Sequence, residues 1–128
     1  MNMQSIGKLF LRLGIGGLLL FHGVDKVMHG VEHIGGLLTM HNLPAILAYG
    51  VYIGEIIAPI FLILGWKSRW WAFTIVINMA VAIYLVHFKT ILALGEHGAW
   101  SIETPMLYLI GALAIVFLGS GRYAVGVD

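Results

Sequence analysis

The sequence predicts an all-α fold: an integral membrane four-transmembrane-helix bundle in a single membrane domain, residues 1–128, with both termini in the cytoplasm. Three observations carry that expectation. Of the 128 residues, 60% are hydrophobic and only 10% charged, with a mean hydropathy of +0.96; a soluble domain of this size needs far more polar surface. Four windows, 6–24, 44–64, 70–86 and 104–118, approach the roughly 20 apolar residues that a spanning helix requires. Lys8, Arg12, Lys67, Arg69 and Arg122 fall on the side shared by the N-terminus, the short second loop and the C-terminus, against Lys26 and Lys89 on the other. The more basic side is expected in the cytoplasm.

The elements follow in order. Lys8 and Arg12 ahead of an apolar run resemble the start of a signal peptide, but the run His22-Gly23-Val24-Asp25-Lys26 offers no small-x-small cleavage site, so the first span is expected to be retained. Val27, Val31, Ile34, Leu37 and Leu38 recur at helical spacing and predict an interfacial or re-entrant helix over 27–38, weakened by Gly30, Gly35 and Gly36. Pro44 opens the second span, where a missing N–H costs nothing. Gly50 and Gly54 form a GxxxG match, read as close packing within the chain in preference to a dimer face. Trp70 and Trp71 open the third span as part of an aromatic belt. Thr104 is expected to cap the fourth helix, with Pro105 at its first position and Gly119 and Gly121 at its end.

Composition excludes several functions. A net charge of +1 and no basic tail argue against a nucleic-acid partner. The absence of cysteine rules out dithiol redox chemistry, thiolate metal sites and disulfides.

Ionisable groups inside a span are costly and usually face the bundle interior. Counting a rise of about 1.5 Å per residue from the cytoplasmic ends places Arg12, Glu55 and Asn78 at similar depth, and the expectation is one buried network from three helices. Arg12, Leu19, Gly23 and Lys26 share an arc of the first span, and Ala48, Tyr52, Glu55, Pro59 and Leu62 share one on the second. Trp71, Asn78 and Leu85 share a face of the third. Pro59 lacks the N–H that would bond the Glu55 carbonyl. The plain alternative is that Arg12 and Glu55 only fix helix register.

All six histidines, His22, His29, His33, His41, His87 and His97, are expected on the outer face with Asp25, Glu32, Glu96 and Glu103. His29 and His33, four residues apart, could share a metal on one helix. His22 and His87 close two spans at similar depth, where a haem ligand pair is the further alternative, and His22 is expected to face inward. Tyr49, Tyr52, Tyr84, Tyr108 and Trp100 read as belt residues or as walls of a quinone-sized pocket.

Arg12, the run Phe21-His22-Gly23-Val24-Asp25-Lys26, Gly54-Glu55, Gly65 with Arg69, Glu103 and the ending Gly119-Ser120-Gly121-Arg122-Tyr123 together resemble the DoxX family of small four-helix membrane proteins. The resemblance spans nearly the whole chain. It departs at Ser120, where proline is common, and in the Gly126-Val127 that precedes Asp128. It implies a bacterial inner-membrane protein belonging to a redox system and singles out Arg12, His22, Lys26, Glu55 and Arg122. The functional expectation is a membrane subunit that binds a quinone or related lipid-soluble carrier through Arg12, His22, Lys26, Glu55 and Asn78. A partner oxidoreductase would supply the redox centre, since the sequence has no flavin, iron–sulfur or dithiol motif. Whether the chain is itself an enzyme, and whether it forms a homo-oligomer, stay open. A small transporter or proton-linked channel and a structural or assembly subunit are the alternatives.

Overall fold

The computed structural model describes residues 3–87 and 102–126, all of them helix or connecting turn. Lys89, Glu96, His97, Trp100 and Asp128 lie outside the described residues, as does the side chain of His87. The helices are α1 (Met3–His29), α2 (Glu32–Met40), α3 (Ala45–Leu64), α4 (Ser68–His87) and α5 (Glu103–Leu118). Three of them, α1, α3 and α4, are long and apolar enough to cross a membrane. At 16 residues, α5 is a shorter apolar helix.

The core explains why all four long elements pack together. Leu19 from α1, Ala58 and Leu62 from α3, Ala72, Ile75 and Met79 from α4, and Ala112 and Ile115 from α5 form one buried cluster. The arcs expected from the sequence are the faces that turn inward: Arg12, Leu19 and Gly23 are buried on α1, as are Ala48, Glu55, Pro59 and Leu62 on α3. Outward-facing Phe10, Leu18, Phe21, Ile60, Phe73, Ile77 and Phe117 are exposed, as apolar residues facing lipid should be.

Two local expectations change. The helix predicted over 27–38 is real but broken: α1 runs on to His29, Gly30 takes φ +82°, and α2 restarts at Glu32. Only glycine adopts that backbone without strain. Thr104 is not a cap, because α5 begins one residue earlier after Ile102 and uses no side-chain cap. Pro105 then sits within the first turn, where its missing N–H still has no helical partner to lose. The predicted end holds, with Gly119 at φ +80°.

The second span is one continuous helix of unequal turns. Ala45–Tyr49 is 3₁₀, Gly50–Tyr52 is α, Ile53–Ile57 is a π turn and Ala58–Leu64 is α again. Pro59 cannot donate to the carbonyl of Glu55, and that carbonyl belongs to the wide π turn, which ends two residues before Pro59. Such turns recur at functional sites.

Candidate functional site

Glycines set how closely α1 and α3 approach. A Cβ on Gly16 would come within 3.0 Å of the Pro59 carbonyl oxygen, and one on Gly23 would collide with the carbonyl of Glu55. With α1 seated directly on the π turn, the ammonium of Lys26, one turn further along, reaches Glu55. Its Nζ lies 2.6 Å from both Oε1 and Oε2. Asn78 of α4 donates its Nδ2–H to Oε2 at 3.1 Å, and the Tyr52 hydroxyl donates to the Lys26 carbonyl at 3.3 Å. Glu55 is 3% exposed. Its carboxylate is thus desolvated but held by a cation and an amide, as burial of a charge requires. Gly54 gives α4 the same close access, since a Cβ there would meet the Asn78 side chain at 2.6 Å. Of the GxxxG pair, Gly54 packs within the chain, whereas Gly50 has open space around it.

That trio lines a cavity of about 600 Å³. Its walls are apolar: Ile34, Leu37 and Leu38 from α2, Leu47, Val51 and Ile53 from α3, and Ile77, Val81 and Leu85 from α4. Lys26, Glu55 and Asn78 supply convergent polar groups, with His33 and Thr74 as the other polar side chains lining it. An apolar chamber with a few placed polar groups is the usual form of a small-molecule site.

Arg12 is elsewhere, which corrects the expected three-helix network. Its fully buried guanidinium donates to the carbonyls of Leu62 at 3.2 Å and Ile63 at 3.4 Å, and to that of Tyr123. Arg12 and Lys26 are fourteen residues apart, roughly 20 Å of helix. In the antiparallel register fixed by Gly16 and Gly23, the end of α3 faces Arg12 and the π turn faces Lys26. Counting inward from the apolar edges therefore set the two helices several residues out of step. Glu55 and Asn78 do meet as expected, but with Lys26 in place of Arg12.

The Arg12 cluster ties the chain's two ends to the α3–α4 turn. Gly65, at φ +81°, passes against the guanidinium and Ala124. Val125 and Gly126 donate backbone N–H groups to Leu64 and Gly65 at 2.9 and 3.3 Å. The Oγ of buried Ser120 lies 2.5 Å from that of Ser68, within a hydroxyl–hydroxyl hydrogen bond, and 3.3 Å from the Gly65 carbonyl oxygen. Arg122, singled out by the family resemblance, is exposed on this segment. The cationic side chain at the carboxyl end of α3 also opposes the helix dipole favourably.

The histidines divide. His33 lines the cavity. His22 is exposed and meets Tyr108 edge-on at 5.7 Å, outside the cavity, so it does not face inward as expected; with α1 packed through Gly16 and Gly23, position 22 falls outside the contact. His29 turns its Nδ1 to Asp25, 2.9 Å from the carbonyl and 3.0 Å from Oδ1. The break at Gly30 puts His29 and His33 on different helices, so the shared-helix geometry proposed for a metal is lost. No group of three His, Asp or Glu able to hold a metal occurs among the described residues. Sequence reasoning missed the Lys26–Glu55 pair and the tail's attachment to Arg12. The signal for the former was present in Gly23, three residues before Lys26.

A family model described as DoxX matches residues 7–88, the segment that contains Arg12, Lys26, Glu55, Asn78 and every residue lining the cavity. No curated protein and no solved structure matches the chain.

Proposed function

The chain belongs to the DoxX family, and from that premise we propose that it is the membrane component of a redox system and binds a quinone or related lipid-soluble carrier in the chamber above Lys26, Glu55 and Asn78. The observation that carries this reading is the juxtaposition of a roughly 600 Å³ apolar cavity with Lys26 and Asn78 gathered on the buried Glu55 carboxylate, inside helices long enough to span a bilayer. An apolar ring with carbonyl or hydroxyl substituents needs apolar walls plus a small set of donors and acceptors. Asn78 and Lys26 supply donors and Glu55 an acceptor. The residues fit such a headgroup, which would bring the electron chemistry that these side chains cannot perform. A partner oxidoreductase completes the reaction.

In this reading α5 is the fourth span and the Arg12 cluster with both termini lies on the cytoplasmic side of a bacterial inner membrane, as the basic residues around it favour. The lack of native cysteine makes that directly measurable. A cysteine replacing Lys67 should react with a membrane-impermeant maleimide only after lysis, and one replacing Met40 in intact cells; the reverse pattern would invert the topology.

For the carrier, the protein purified in mild detergent should yield quinone on organic extraction and bind decylubiquinone saturably. Gly50→Phe tests the location, because Gly50 lines the cavity and nothing lies within 4 Å of its Cβ direction. That variant should lose binding while Lys26 and Glu55 stay intact. Quinone-free extracts with no saturable binding would refute the reading.

A further inference from the structure

The cavity's rim differs from its floor. Ile53 on α3 and Ile77 and Val81 on α4 line the chamber, yet they are 47%, 51% and 45% exposed. All three sit on helices able to cross a membrane, close in sequence to Glu55 and Asn78. Apolar side chains exposed at that level touch hydrocarbon, not water. The bundle side is shut, since Gly23 lies against the Glu55 carbonyl and Gly54 against Asn78. We propose that the chamber opens sideways into the lipid between α3 and α4, and that its ligand is a tailed amphiphile drawn from the bilayer. The polar head reaches Lys26, Glu55 and Asn78, and the hydrocarbon tail leaves between Ile53 and Ile77.

The size of the chamber supports a tail that stays outside. About 600 Å³ holds a headgroup and the first carbons of a chain, within the range of small-molecule pockets, but not a long isoprenoid or acyl tail. A tail forced out of the bilayer into water would lose the favourable burial of every CH₂, whereas an apolar rim lets the remaining tail keep its contact with lipid. A water-soluble ligand would gain nothing from such a rim.

This inference rests on the chamber being a ligand site but not on the ligand being a quinone, and the experiment separates the two. The full chain in detergent micelles is titrated with ubiquinone-0, which has no tail, with decylubiquinone, and with decanol. The Gly50→Phe protein serves as the blank for partition into micelles. Decylubiquinone is expected to bind at least tenfold tighter than ubiquinone-0. Ile77→Trp, which narrows the opening without touching the floor, should weaken decylubiquinone at least tenfold. Val81→Trp is the second rim variant should Ile77→Trp fail to fold by thermal melting. Equal binding of ubiquinone-0 and decylubiquinone, unchanged by either rim variant, would overturn lateral access while leaving a quinone site standing. Saturable, rim-sensitive binding of decanol without either quinone would support the opening and refute the quinone. No saturable binding of any of the three would overturn both.

Discussion

Removing the cation from Lys26 should cost more than removing the charge from Glu55, and the difference is set by where each partner can go. In Lys26→Met the carboxylate is left 3% exposed, with the Asn78 amide as its one remaining donor among the described residues. Breaking a buried pair in this way costs about 3–5 kcal/mol. In Glu55→Gln the stranded group is an ammonium whose side chain is already 30% exposed and which sits in the last turn of α1. A lysine there can extend its stem toward the polar end. We therefore expect about 3 kcal/mol for Lys26→Met, the low end because of that exposure, and roughly half as much for Glu55→Gln. The double variant should be less destabilised than Lys26→Met alone, with a coupling of about 2 kcal/mol. SDS-titrated unfolding of the four proteins in mixed micelles measures the cycle. A coupling below about 0.5 kcal/mol, the value of an exposed pair, or a Glu55→Gln cost exceeding that of Lys26→Met, would refute the assignment of the pair as buried and asymmetric.

Three further outcomes follow from the same geometry. Gly23→Ala drives a Cβ into the Glu55 carbonyl and should destabilise by about 1–3 kcal/mol as overpacking does. Gly14→Ala on the same helix meets nothing within 4 Å and should be neutral or stabilising by up to about 1 kcal/mol; thermal melts of the two in one detergent make the comparison. Arg12→Lys replaces a planar fork that spans carbonyls of α3 and the tail by a point charge that cannot reach both. Its tail should detach, read as faster tryptic cleavage after Arg122 with α-helical circular dichroism retained. Ser120→Ala removes the bond to the buried Ser68 hydroxyl and should lower stability by about 1 kcal/mol, in the same SDS titration.

How much of this was legible in the sequence depends on which interaction decides each feature. Helix faces are decided locally. The arcs through Arg12, Leu19 and Gly23 and through Ala48, Glu55, Pro59 and Leu62 turned inward as read, because a 3.6-residue period needs no knowledge of the neighbour. The terminator at Gly119 was legible for the same reason. The break at Gly30 was visible only as a weakness, since a glycine permits a left-handed turn without requiring one. Thr104 failed as a cap because the tertiary position of Ile102, fully buried, sets where α5 starts.

The site was legible in its residues and not in its pairing, and the reason is the reference chosen for depth. Hydropathy marks the edges of each span but carries no information on how far one helix overhangs its neighbour. Counted from the cytoplasmic edges of 6–24 and 44–64, Arg12 and Glu55 looked level, but the two helices do not end at one level: Arg12, nine residues into α1, already faces the end of α3 at Leu62 and Ile63. Glycines give a better ruler, because a residue without a side chain at a helix contact must face backbone. Gly16 faces Pro59 and Gly23 faces Glu55, and once those two contacts are fixed Lys26 is the cation within reach of the carboxylate, while Arg12 is carried to the end of α3. The same displacement gives Arg12 and Lys26 of α1 separate tasks: Arg12 fastens the tail to the α3–α4 turn, and Lys26 pairs with the carboxylate that lines the chamber. A substitution at Arg12 should therefore change the tail and leave carrier binding in place, whereas one at Lys26 should do the opposite.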